Sequence, residues 1–277
     1  MVRRFSVVVA ACTLLLVIAG SLVTSNDAAM SIPDWPLAYG KLVPPLEGGI
    51  RFEFAHRVLA ATVAALTLAL AVSARRPLAW FAFAAVVAQA LLGGATVKLV
   101  DPKSLAIAHA CLAQLCFGLL VAQALVGRTP WSAAGPPAGP AWMAAAALFA
   151  QTILGAALRH NTIGLIPHIA GAVAGTLIVM WAGLRVLSGP MEEPPLRRAA
   201  MLLLSFTFSQ VFLGMGAYMA RAVNADAPQP LPMMIWFTVA HVAVGSLAFG
   251  AAVAMAVIAH RDPAARTHMH HAGMVVA

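Results

Sequence analysis

Glu53-Phe54-Ala55-His56-Arg57 sets an acid, an imidazole and a guanidinium at the mouth of an apolar segment that continues to residue 73. A segment of about twenty residues at 1.5 Å per residue crosses a hydrocarbon core roughly 30 Å thick as a helix. The stretch therefore points to a membrane fold. It also places three polar groups where burial is costly, and an ionisable residue at a membrane segment is read as functional, with a partner to be named.

The rest of the chain agrees with that reading. Of its 277 residues 62% are hydrophobic and 9% charged, and the mean hydropathy is +0.89, whereas a soluble domain carries roughly 25% charged residues. Apolar segments are drawn at 5–24, 54–73, 78–97, 105–127, 141–158, 165–187, 199–220 and 235–259. Membrane-barrel alternation is absent. The fold class is an all-α integral membrane protein with eight transmembrane helices, separated by proline-rich connections at Pro33–Pro45, Pro130–Pro140 and Pro190–Pro195. The first segment has the basic start and apolar run of a signal peptide, but it is longer than the usual h-region and is read as a retained helix.

A net charge of +8 is not a nucleic-acid signal here. The basic residues lie between apolar segments, where they set topology and meet the head groups of membrane lipids. With the N-terminus cytoplasmic, Arg3, Arg4, Arg75, Arg76, Arg128, Arg185, Arg197, Arg198, Arg261 and Arg266 fall inside. Lys41, Arg51, Arg57, Lys98, Lys103, Arg159 and Arg221 fall outside, against the usual bias, and anionic ligand groups would be one reason. Cys12, Cys111 and Cys116 lie in apolar segments and are read as small buried hydrophobes, with no disulfide.

The chain divides into similar halves, 1–130 and 131–277. Ile18 to Val23 recurs as Ile153 to Leu158, and Gln89-Ala-Leu-Leu-Gly93-Gly94 recurs as Gln210-Val-Phe-Leu-Gly214-Met215. Four helices return the chain to its starting side, so the halves form two pseudo-symmetric four-helix bundles about an axis along the membrane normal. Histidines recur with them. His56 and His109 open the second and fourth segments, and His168 and His241 the sixth and eighth, all on the outer side.

Paired imidazoles from two helices can clasp a metal. A closed zinc site needs four clustered ligands, whereas one histidine pair per four-helix unit suits the axial positions of a haem iron. A lone membrane histidine is also an ordinary packing residue; four at equivalent positions are harder to explain that way. Small residues around them, such as Ala60, Ala110, Gly171 and Gly245, permit close helix approach without demanding a macrocycle. Haem propionates would need cations, and Arg57, Lys98, Lys103, Arg159 and Arg221 share that face, although interfacial anchoring is the equal alternative for each.

The halves differ in one respect that bears on chemistry. Glu53 and Arg57 flank His56, while the corresponding residues around His168 are Leu165 and Ile169. Glu53 shares a face with His56 if the helix begins by Glu53, and a carboxylate there could take a proton or stabilise developing positive charge. The alternative is a helix N-terminal acid favoured by the dipole. From Gly20 to His56 is 36 residues against 13 from Gly155 to His168, and the excess holds Ser31-Ile-Pro-Asp-Trp-Pro-Leu-Ala-Tyr-Gly40, read as a structured cap over the first-half site. His160 is read as a surface residue, and His260, His268, His270 and His271 as a solvated tail.

Pro33-Asp-Trp-Pro-Leu37, Glu53-x-x-His56-Arg57 and one histidine at each even-numbered segment, taken together over nearly the whole chain, resemble the heme A synthase family. The resemblance implies an enzyme that oxidises the C8 methyl group of haem O to a formyl group, giving haem A. On this chain it implies His56 and His109 as ligands of the substrate haem, His168 and His241 as ligands of a haem b cofactor, and Glu53 as the catalytic carboxylate. Its partners would be a heme O synthase upstream and cytochrome oxidase assembly factors downstream. A homo-oligomer is left open. Many members carry a cysteine pair flanking this loop; here the positions are Ile32 and Ala38, so no thiol step applies. The lack of an Arg- and Ser-rich leader favours a bacterial inner membrane. A diheme b-type electron-transfer protein, such as a quinol dehydrogenase subunit, is the competing reading. A transporter ranks below it because the breakers fall in loops rather than mid-membrane.

Overall fold

The computed structural model describes residues 1–126, 138–189, 194–223 and 230–260. The chain forms α1 (Val2–Ser25), α2 (Ile50–Ala74), α3 (Pro77–Lys98), α4 (Lys103–Leu125), α5 (Gly139–Arg159), α6 (Leu165–Leu187), α7 (Pro194–Ala222) and α8 (Pro232–Ala259). Each is long and apolar enough to cross a membrane. This is a multi-pass membrane protein. The expected segments and the helices coincide except at several starts, where prolines read as loop residues belong to helices. Pro194 and Pro195 open α7, and Pro140 lies in the first turn of α5. The reason is that a first-turn N–H has no intrahelical acceptor, so proline costs nothing there and its fixed φ already suits the helix. Pro130, Pro190, Arg128, Arg261, Arg266, the division at 130/131 and the tail histidines beyond His260 lie outside the described residues.

Helix neighbours define two rings. In the first, α1 packs on α2, α2 on α3, α3 on α4 and α4 on α1; in the second, α5 to α8 repeat the same cycle. The rings meet along α1 with α8, α4 with α8 and α4 with α5. Exchanging α1 with α5 and α4 with α8 leaves that seam unchanged, as a twofold axis between α4 and α8 requires. α1 is part of the packing: Val9 and Ala10 are buried with Leu70, Ala82 and Leu120.

The seam has a reciprocal lock. A Cβ added at Gly250 would lie 2.8 Å from Cε1 of Phe117, and one added at Gly118 would lie 2.9 Å from Cε1 of Phe249. Each phenylalanine fills the space left by the other helix's glycine, which is how helices gain close contact where no water drives them together. Phe117-Gly118 follow His109 by the same eight and nine residues that separate Phe249-Gly250 from His241. Nearby, Gln114 donates to the Ser246 hydroxyl at 2.8 Å, five residues beyond each histidine. Gly250→Ala is expected to force the Phe117 ring aside and cost about 1–3 kcal/mol. Thermal unfolding in detergent should show the loss, and Phe117→Leu in the same chain should recover part of it.

Candidate functional site

α2 and α4 sit diagonally across the first ring and are not packed neighbours, so polar side chains on their inner faces look at each other across the bundle interior. The His56 and His109 ring centroids are 6.5 Å apart with an interplanar angle of 70°. In the second ring α6 and α8 present His168 and His241 in the same relation, 6.5 Å apart at 67°. Two imidazoles on opposite sides of one metal ion, each about 2 Å from it, would have ring centres about 6 Å apart. Edge-to-face ring packing spans the same range; recurrence in both halves, with a glycine behind every ring, favours a shared ligand.

Those glycines come from the preceding helix in each case. A Cβ at Gly20 of α1 would lie 3.1 Å from Cε1 of His56, and one at Gly93 of α3 would lie 2.9 Å from Cε1 of His109. In the second half Gly155 of α5 and Gly214 of α7 stand 3.3 and 3.1 Å from Cε1 of His168 and His241 on the same measure. Any side chain there would push its imidazole toward the bundle axis. Among the described residues no group of three or more His, Cys, Asp or Glu comes together, so each pair offers two nitrogen donors and leaves the remaining coordination to whatever it holds. Haem iron, with four equatorial positions filled by its own ring, fits that donor set.

One turn before His56, α2 carries a different device. α2 begins at Ile50, so Glu53 lies on the helix, where it is 5% exposed. Its Oε1 accepts from Arg57 Nη2 at 2.6 Å, and its Oε2 accepts the Ile32 N–H at 2.9 Å. Arg57 also donates to the carbonyls of Asp34 at 2.7 Å, Leu37 at 3.0 Å and Ile32 at 3.2 Å. The ion pair is thus fully hydrogen-bonded, the condition under which buried charges are tolerated. It fastens the loop to the helix.

The loop is a folded cap. Ala38 and Lys41 pair through both backbone bonds, with Tyr39 at φ 54° and Gly40 at φ 70° between them, the two positive values that a tight hairpin turn needs. A tyrosine in that conformation is uncommon. It is secured by its N–H to Asp34 Oδ1 at 2.6 Å and by its hydroxyl, which donates to the Ser31 carbonyl at 2.7 Å. The Trp35 ring lies against α3, where a Cβ at Gly94 would come within 2.7 Å of it. Gly94 is the neighbour of the Gly93 that backs His109. Ile32 is fully buried and Ala38 is 3% exposed, so the positions at which the sequence lacks a cysteine pair are apolar core of the cap.

The cationic candidates are divided. Arg57 is bound to the cap, and Arg159 Nη2 donates to the Thr24 carbonyl at 2.6 Å, tying the end of α5 to the end of α1. Lys98 closes α3, Lys103 opens α4 and Arg221 lies in the last turn of α7, all on the histidine side. His160 caps α5, half-buried, and burial lowers its pKa; Asp101 opposes that shift, and Arg159 and Lys103 add to it. Cys12, Cys111 and Cys116 are free thiols. What sequence reading missed is the use of Gln89, Gln151 and Gln210. Their side-chain Nε2 atoms donate to the main-chain carbonyls of His109 at 2.8 Å, His168 at 3.0 Å and His241 at 2.8 Å. The signal was present in the Gln89–Gly93 and Gln210–Gly214 repeat, to which Gln151–Gly155 adds a third copy.

Residues 3–51, which hold α1 and the cap, match the family described as cytochrome oxidase assembly protein, COX15-CtaA. The chain is 33% identical over 137 residues to the heme A synthase of Methylobacterium sp. (strain 4-46), covering 42% of this chain and 38% of that protein. The chain is similar to heme A synthases. The heme A synthase of Symbiobacterium thermophilum is 44% identical over 64 residues, 23% of this chain and 21% of that protein. That of Azorhizobium caulinodans is 37% identical over 129 residues, 39% of this chain and 37% of that protein. The chain thus spans less than two fifths of the length of these heme A synthases.

The Gly40 N–H, the largest influence, holds the Asp34 carboxyl below its ordinary range; desolvation opposes it, and the Tyr39 N–H adds to the lowering. A depressed carboxylate stabilises the cap fully above its unfolded pKa, and that contribution is lost as pH falls through the lowered value. Asp34→Ala should therefore speed hydrogen exchange across residues 31–41 at pH 7, with the difference from the unmodified chain shrinking in acid. Arg57→Ala should expose the same segment at every pH.

Proposed function

We propose that this chain is a heme A synthase that oxidises the C8 methyl group of haem O to a formyl group. The observation that carries the proposal is the pair of interior imidazole sites, alike in both halves, of which, among the described residues, only the first has a buried carboxylate one turn away and a cap fastened over it. Similarity to heme A synthases supports it. His56 and His109 hold the substrate iron, and Lys98, Lys103, Arg159 and Arg221 stand at the end where propionates are met. His168 and His241 hold haem b, which when bound supplies one-electron redox capacity beside the substrate.

Two successive two-electron oxidations of the methyl carbon, each taking one oxygen from water, releasing two protons and passing two electrons to an external acceptor, give a hydroxymethyl group and then a hydrated aldehyde, which loses water to leave the formyl group. Glu53 takes the proton released as the methyl carbon is oxidised and stabilises the positive charge that develops at the haem edge. Arg57 keeps that carboxylate aimed, and the cap excludes bulk water from it. The product leaves for cytochrome oxidase assembly, and a heme O synthase in the same bacterial inner membrane provides the substrate.

Co-expression with a heme O synthase, followed by haem extraction and mass analysis, tests the assignment: haem A should accumulate. Bound haem b with no haem A would instead mark an electron carrier, and a pyridine haemochrome spectrum without any haem would sink both. Glu53→Gln keeps the shape of the side chain and should retain haem while lowering haem A formation by about a hundredfold or more. His168→Ala should lose haem b and keep the first-half haem; unchanged haem b content would refute that assignment.

A further inference from the structure

The four ligand histidines are not held alike. On three odd-numbered helices the residue four before the backing glycine is a glutamine: Gln89 before Gly93, Gln151 before Gly155 and Gln210 before Gly214. Each glutamine amide donates to the main-chain carbonyl of the histidine that its glycine backs. Gln151 Nε2 also lies 3.1 Å from His168 Nδ1. In the second half, α6 and α8 make room for this contact. A Cβ at Gly171, three residues after His168, would come within 2.5 Å of Gln151 Oε1, and one at Gly245, four after His241, within 3.4 Å of Gln210 Oε1. A hydrogen bond from a neighbouring helix to that carbonyl fixes the rotation and depth of the histidine's own helix turn, and so the direction of its imidazole.

On α1 the equivalent position, four before Gly20, is Leu16, whose side chain packs with the buried Val63, Val86 and Cys116. It has no donor to offer. His56 keeps its glycine but lacks the amide; its Nδ1, like those of His109 and His241, has no side-chain partner, so the missing amide is the difference. The second half therefore has two braced histidines, and the first half has one braced and one unbraced.

We propose that Gln89, Gln151 and Gln210 are positioning residues for the haem ligands, and that Leu16 leaves His56 as the ligand that lets go when haem is exchanged. This rests on the functional reading above and deepens it. A resident cofactor calls for two fixed ligands, while a site that admits a substrate haem and discharges a product haem needs one that releases. The absent amide coincides with the half that carries Glu53 and the cap.

The test is haem transfer from the purified full chain in detergent to excess apomyoglobin, followed in the Soret band, with low-spin ferric EPR recorded before transfer. The unmodified chain should release haem in two phases, the faster from the first half. Leu16→Gln should slow the fast phase roughly threefold to tenfold, the worth of one hydrogen bond, and shift the EPR signal of that haem alone. Leu16→Met, of similar length without a donor, should do neither. Gln210→Met should speed the slow phase and alter the other EPR signal. Leu16→Gln behaving as Leu16→Met, or Gln210→Met leaving both readouts unchanged, overturns the proposal while the enzyme assignment stands. A chain that binds no haem overturns both.

Discussion

An imidazole set among apolar helices needs space for its ring and something for its nitrogen to bind. Both requirements are met here by one apposition used four times, a glycine on an odd-numbered helix against the histidine of the next helix. The odd helix gives up a side chain so that the ring can turn inward, and the diagonal helix across the ring supplies a second imidazole facing the first. Helix order, the short connection between α5 and α6 and the concentration of polar residues at one end all serve that arrangement. Without the glycines the histidines would be ordinary packing residues at helix mouths.

The first half adds to this scheme where the second does not. Glu53 and Arg57 stand on α2 at a spacing of four, the distance at which two side chains on one helix face meet, and their remaining hydrogen bonds all go to the loop between α1 and α2. The acid that would do chemistry is therefore also the acid that holds the cap. Charge, cap and ligand depend on one another, and a change at Arg57 reaches all three.

The eight helices were legible in the sequence because membrane spans are written in composition: runs of apolar residues of sufficient length leave few other folds. The histidine pairs were legible because they recur in register, and Glu53 because it breaks that register. Other features were hidden for physical reasons. Pro194 and Pro195 read as breakers because proline's effect reverses within the first helical turn. The main-chain contacts of Arg57 and Arg159 could not be read because their acceptors, the carbonyls of Asp34, Leu37, Ile32 and Thr24, have no identity in a sequence. Gln89 and Gln210 appeared only as letters of a repeat and Gln151 did not appear at all, since a side chain's bond to a carbonyl on another helix depends on how the helices are rotated. Phe117-Gly118 and Phe249-Gly250 were missed because neither dipeptide is unusual until the other is placed against it.

That reciprocal lock also fixes a length. His109 and His241 each stand eight residues above a phenylalanine that fits the other helix's glycine, about 12 Å along the axis. The gap between the two imidazole sites is therefore pinned at the centre of the seam by α4 and α8, with α1 against α8 and α5 against α4 flanking it. Loops may lengthen, termini may change and the cap may be rebuilt, and the two sites would still face each other across the same distance.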